Sequence, residues 1–369
     1  MEIARERRYD VDWIRVIAFD ILILYHVGMF FVPWDFHIKN NSIVNWIQLP
    51  MLFANQWRLP ILFIVSGMGT RFALSSKSST EYLKERFIRL FIPLIVGMLI
   101  IVPPQVYIER LTQGMKFDSF FHYYSQTFNG VYPEGNFSWH HLWFLPYLFL
   151  MSVIATPLFL YLRNKNNGFL FLTRDIFKNQ SISLYLFAIP LFVVELYLAP
   201  LFPVTHALIN DYYAFIFYFF LFITGFILIS LGEQFWGAVD RIKFYALLTG
   251  IICFPMLIWV WQNAHDSMIF PILKTMNMWS WILAIFGYAA KYLNKKSKLL
   301  AYRNQAVYPF YIIHQTIMIV IGYWLMNDSM HYFWKMMIMI AGTFGFSWLI
   351  YEFLIKRITI LRPLFGLKH

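Results

Sequence analysis

A single cysteine, Cys253, lies inside an apolar run. A disulfide needs two thiols and a thiolate metal centre needs several, so both are excluded, and cysteine usage says nothing about redox compartment. Charge is also scarce. Asp, Glu, Lys and Arg make up 13% of the 369 residues, where a soluble domain carries about 25%. There is no internal repeat and no room for a soluble domain. The longest stretch between apolar runs, about 111–140, is too short and too aromatic to fold alone. The chain is 60% hydrophobic and 21% aromatic, with a mean hydropathy of +0.57. A surface in water would associate through that many rings, so lipid must be the second solvent. The net charge of +11 is gathered between apolar runs, not along a stripe. That pattern belongs to membrane topology and argues against a nucleic-acid partner.

A membrane span takes about 20 mostly apolar residues. Such runs fall near 11–33, 46–74, 88–108, 141–162, 182–200, 211–231, 243–261, 276–293, 306–326 and 332–355. The expectation is an all-α polytopic protein of about ten transmembrane helices, one domain over 1–369, with a kink or break at Pro60 in the second. The basic start and first apolar run resemble a signal peptide. Asp12, Arg15 and Asp20 interrupt that run and no small-residue cleavage site follows, so it reads as a retained first helix.

Basic residues alternate in density between loops. Arg5, Arg7 and Arg8 precede the first run; Lys77, Lys84, Arg86 and Arg89 follow the second; Arg163, Lys165, Arg174 and Lys178 follow the fourth. Arg241 and Lys243 follow the sixth; Lys295, Lys296, Lys298 and Arg303 follow the eighth; Lys356, Arg357, Arg362 and Lys368 close the chain. For the expected setting, a bacterial inner membrane, the positive-inside rule then places both termini in the cytoplasm, which requires an even number of spans.

Ionisable residues inside such spans cost about 2.5–3.5 kcal/mol each at the helix centre, which makes each a functional candidate. Arg15 and His26 are eleven residues apart, almost three turns, so they share a helical face about 16 Å apart along the axis. They suit the two ends of an elongated ligand. A plainer reading has Arg15 snorkelling and pairing with Asp12 at i,i+3. Arg58, Glu195 and His314 reach similar depth as supporting groups or structural ion pairs, and Arg58 is the expected partner of Asp20. Arg86 and Arg89 share a face at the start of the third run, suited to phosphates or to simple anchoring. His140 and His141 stand among aromatics that suit a sugar acceptor or an interfacial belt.

In order along the chain, DVDWIRVIAFDILILYH with ten residues between Arg15 and His26, LPILFIVSGM with Ser66, RFIRLFIP, HHLWFLPYL with Trp143, and YPFYIIH with His314 are similar to the motifs of the acyltransferase-3 family. The closing RPLFGLK and the N-terminal stretch resemble its glucan-biosynthesis succinyltransferase-like branch. The resemblance implies a cytoplasmic acyl-CoA donor, an acetyl or succinyl group, and a hydroxyl acceptor on an extracytoplasmic glycan. It makes His26 the essential residue, as general base or as the acylated nucleophile. Arg15, Arg86 and Arg89 become the donor-binding cations, and His140 and His141 the acceptor side. No bound cofactor, no metal and no fused hydrolase-like domain are expected. The competing class is a transporter of a polar or acylated solute. That class often shows inverted repeats and paired broken helices, whereas the sequence offers a single candidate break and no repeat.

Overall fold

In hydrocarbon every backbone N–H and C=O must be satisfied within the segment that carries it, which forces apolar runs into helices. The computed structural model describes residues 7–164 and 168–367; Arg5, Lys165 and Lys368, counted above, lie outside them. Among the described residues there is no strand, only an isolated bridge between Val131 and Phe137. The helices are α1 (Tyr9–Met29), α2 (Gln48–Leu74), α3 (Ser79–Thr112), α4 (His140–Leu162), α5 (Gly168–Asn179), α6 (Ser181–Tyr197), α7 (Tyr212–Ser230), α8 (Glu233–Asn263), α9 (Ile269–Tyr292), α10 (Lys298–Leu325) and α11 (Tyr332–Ile355).

Seven of them, α3, α4 and α7 to α11, are long and apolar enough to cross a bilayer, so the protein is an all-α, multi-pass membrane protein. With 21 residues, α1 spans about 31 Å but carries Asp10, Asp12, Arg15 and Asp20. With 27 residues, α2 carries Arg58 and Arg71 and continues through Pro60. The proline does not break it. Two π-turns, Phe87–Phe91 and Gly97–Ile101, interrupt α3. Such turns insert a residue into the helical register and recur at functional positions.

The backbone packs as two compact units, each drawn from three chain segments. The first comprises Met1–Ala18, Asn55–Lys84 and Leu150–Asn304; the second comprises Phe19–Ala54, Glu85–Phe149 and Gln305–His369. In the first unit α2 and α7 cross at glycines. A Cβ built on Gly67 would sit 2.0 Å from the Phe222 carbonyl oxygen, and one on Gly225 would sit 2.0 Å from the Ile64 oxygen. Glycine is needed there because helices meeting in lipid gain from close backbone packing rather than from apolar burial. Gly225→Ala is therefore expected to cost about 1–3 kcal/mol through overpacking and to lower the unfolding temperature in detergent. Gly69→Ala is its control, since nothing lies within 4 Å of the added carbon. Equal stability of the two variants would refute the close crossing.

In the second unit the segment between α1 and α2 is tied down rather than left loose. Phe30, Phe31 and Ile38 join Met318 and Ile319 of α10 and Met339 of α11 in one buried cluster. Lys39 Nζ donates to the carbonyls of Met29, Val32 and Trp34, which caps the end of α1. Burial brings that ammonium down to about 8, with Asp35 pulling it upward. This segment carries Phe36 and His37.

Candidate active site

The second unit gathers five histidines from α1, the 30–44 segment, α4 and α10. His26 Nδ1 and His314 Nε2 are 2.8 Å apart. Their rings are parallel within 7°, with centroids 5.1 Å apart, too far for face stacking and suited to an end-to-end hydrogen bond. His314 Nδ1 lies 2.8 Å from the Tyr311 oxygen and 3.2 Å from that of Phe310. A carbonyl only accepts, so Nδ1 of His314 carries the hydrogen and its Nε2 carries the lone pair. That lone pair must accept from His26, so His26 Nδ1 is the N–H. The lone pair of His26 is thereby assigned to Nε2, as a general base requires.

His314 is fully buried and His26 is half-buried. His141 stands across the His314 ring, edge-on with centroids 5.0 Å apart. Its Nε2 donates to the Ile312 oxygen at 3.0 Å, and its own carbonyl accepts from the Tyr311 hydroxyl at 2.6 Å. These two bonds strap the entry of α4 to α10.

Phe36 stacks toward His26, with centroids 6.4 Å apart, and its sequence neighbour His37 begins a second cluster. His37 Nδ1 is 2.8 Å from Glu109 Oε2, and the Tyr132 hydroxyl donates to Glu109 Oε1 at 2.9 Å. Burial, then the Glu109 carboxylate, raises the Tyr132 hydroxyl above its ordinary range, which keeps it a donor. Arg110 fixes the Tyr132 loop by donating to the carbonyls of Pro133 (2.6 Å) and Gly135 (2.7 Å). His37, Glu109 and His140 form a group with metal-ligand chemistry. However, the His37 and His140 rings are stacked face to face, 4.1 Å apart and 6° from parallel. An ion lies close to the plane of each imidazole that binds it, and two parallel stacked planes share no such point. These rotamers do not fit a shared ion.

The remaining predicted residues are spread over both units. In the first unit Arg15 donates to Asp12 at 2.7 Å and also bonds Asn304. Arg58 is buried and donates to Asn55 at 3.0 Å, while the Ser66 hydroxyl donates to the Leu62 oxygen at 2.8 Å. Glu195 receives Lys274 at 2.6 Å and the Tyr213 hydroxyl at 2.5 Å. In the second unit Asp20 is half-buried on α1, and Trp143 packs edge-on against Tyr147 with centroids 5.2 Å apart. Arg86 and Arg89 flank the start of the first π-turn of α3. Arg89 donates to the Gly366 oxygen at 3.2 Å and stands 3.8 Å from Glu85. Sequence reasoning missed His37, Glu109, Gln105 and Tyr132. Glu109 sits one residue beyond the run 88–108, where an ionisable residue raises no alarm.

Escherichia coli K12 and Shigella dysenteriae serotype 1 each have a glucans biosynthesis protein C that is 22% identical to this chain over 165 residues. The match covers 43% of this chain and 40% of the length of those relatives. No solved structure matches. The profile of the acyltransferase domain family known as acyltransferase-3 matches residues 8–352, a span holding both the His26–His314 pair and the His37–Glu109–His140 cluster. Those imidazoles therefore lie within a domain that has a family, and the chain belongs to the acyltransferase-3 family.

Proposed function

We propose that this protein moves an acyl group of the acetyl or succinyl class from cytoplasmic acyl-CoA to a hydroxyl of an extracytoplasmic glycan, within the bacterial inner membrane. The observation that carries this reading is the hydrogen-bond relay from the Tyr311 carbonyl through His314 to His26, which assigns the lone pair of His26 to Nε2. His26 Nε2 takes the proton of the acceptor hydroxyl as its oxygen attacks the thioester carbonyl. The tetrahedral adduct then collapses, the C–S bond breaks, and the leaving thiolate recovers the proton from His26. The relatives are glucans biosynthesis proteins, and a glucan is a polyhydroxylated acceptor of the required chemistry. Ten crossings, with α1, α2 and α6 added to the seven apolar helices, would put both termini in the cytoplasm.

Arg86 and Arg89 are the proposed donor cations of the second unit, and Arg15 is the proposed donor cation of the first. Arg86→Ala is expected to raise the acyl-CoA KM about ten-fold, since a charge-assisted contact contributes roughly 1.5–3 kcal/mol. The acceptor KM should hold, and Arg86→Lys should recover only part of the loss because a point charge lacks the planar fork. An unchanged donor KM in both Arg86→Ala and Arg89→Ala would remove the phosphate role. The reading as a whole is tested with purified protein in liposomes, acyl-CoA outside and glucose oligosaccharides supplied. Thiol release matched by acylated sugar in mass spectra supports it. Sugar flux without acylation would instead mark a transporter.

A further inference from the structure

We propose that His140 and Glu109 form the acceptor subsite, gripping two adjacent hydroxyls of a carbohydrate ring. The inference rests on the reading of the protein as a glycan acyltransferase and names the groups that hold the glycan.

The argument starts from Gln105, whose amide orientation its neighbours determine. Thr316 Oγ1 donates to the Ile101 oxygen at 2.6 Å, so its single hydrogen is committed. Thr316 therefore accepts from Gln105 Nε2, 2.7 Å away. Gln105 Oε1 then faces the opposite way, where it accepts from Gln315 Nε2 at 3.0 Å and from His140 Nδ1 at 3.2 Å. Nδ1 of His140 must carry the hydrogen, which places the lone pair on Nε2. That nitrogen is buried and has no hydrogen-bond partner among the described residues, in a side chain that is 1% exposed.

What His140 Nε2 faces is a second acceptor. Glu109 Oε2 is 3.9 Å away, beyond a direct hydrogen bond. Oε2 already accepts from His37 Nδ1 at 2.8 Å and keeps a second lone pair, whereas His140 Nε2 is unmet, which costs roughly 1–3 kcal/mol. A ligand that meets His140 Nε2 and also uses the spare lone pair of Glu109 Oε2 brings two donors a short distance apart. One hydroxyl brings a single hydrogen; two neighbouring ring hydroxyls bring a pair. The walls suit a sugar as well. The stacked His37 ring and the Tyr132 ring, edge-on at 4.9 Å, hold His140 in place. His37, with 15% of its side chain exposed, is the more open side of the cluster.

His140→Asn isolates the lone pair. His140 has φ +40°, a left-handed conformation that asparagine tolerates well. The Asn amide N–H takes the place of Nδ1–H toward Gln105, so Nε2 alone is deleted. Glu109→Gln is the second variant and converts one acceptor oxygen into a donor. The probes are a linear glucose trisaccharide, glycerol as a simple vicinal diol, and propanol as a single hydroxyl. Binding is read by saturation-transfer NMR on detergent-solubilised protein, and turnover with acyl-CoA gives the two KM values. Both variants are expected to weaken trisaccharide binding and raise its KM about ten-fold, one lost hydrogen bond to a buried group, with the donor KM unchanged. Glycerol should compete with the trisaccharide and propanol should not. The proposal is overturned by unchanged trisaccharide affinity in both variants, by a wild type that binds no trisaccharide, or by activity that a chelator removes and zinc restores. If the wild type binds trisaccharide through these residues yet never consumes acyl-CoA, the acyltransferase reading fails while the subsite stands.

Discussion

His26→Ala is expected to lower acyl transfer by roughly 10²–10⁴-fold, the usual worth of a positioned general base, with expression and unfolding temperature close to wild type. The small structural cost follows from the geometry. His26 is half-buried, and its hydrogen bond to His314 is worth about 0.5–1.5 kcal/mol net. The large catalytic cost follows from its protonation. With Nδ1 committed to His314, the lone pair lies on Nε2, the position from which the proposed base takes the hydroxyl proton and returns it to the thiolate. The decisive measurement is single-turnover formation of acylated sugar by folded His26→Ala protein. Retention of a third of the wild-type rate would take the base away from His26. Recovery of a stable acyl-His26 adduct from the wild type would instead favour the nucleophile over the base.

The helical, multi-pass character was legible because lipid leaves a chain few choices. A long apolar run must close its hydrogen bonds internally, so hydropathy alone gives the class. Helix ends were less legible. Hydropathy places the third run at 88–108, but the helix begins at Ser79, because the polar segment STEYLKER continues it beyond the apolar stretch. The pairing of Asp12 with Arg15 could be read from i,i+3 spacing, and the two are in contact at 2.7 Å.

His26 and His314 each stood out as polar residues in apolar runs, but their meeting could not be read. They lie 288 residues apart, and only tertiary packing brings them together. The His37–Glu109–His140 cluster was less visible still. His37 and Tyr132 lie between the apolar runs and Glu109 just past one, where polar residues are ordinary. The signal that marks them is the buried, unmatched nitrogen of His140, a property of the fold.

His314→Leu is expected to reduce kcat about 10²-fold at nearly constant substrate KM, whereas His314→Gln should stay within about ten-fold of wild type. The contrast follows from what His314 supplies. Its Nε2 is a lone pair aimed at the N–H of His26, and its Nδ1–H is held by the carbonyls of Tyr311 and Phe310. Glutamine can offer an amide oxygen in the Nε2 position and so keep the hydrogen on His26 Nδ1. Leucine offers nothing, and the proton of His26 is then free to move to Nε2, where it blocks the base. His314 touches no substrate in this scheme; it is a positioning residue. A purely packing role predicts another pattern, because the side chain is fully buried. Both variants would then lose stability, and leucine, the better apolar filler, would lose less. Unfolding temperatures measured beside kcat and KM separate the two readings. If Gln and Leu lose activity equally, and activity follows unfolding temperature, His314 belongs to the core and the relay does not set the proton on His26.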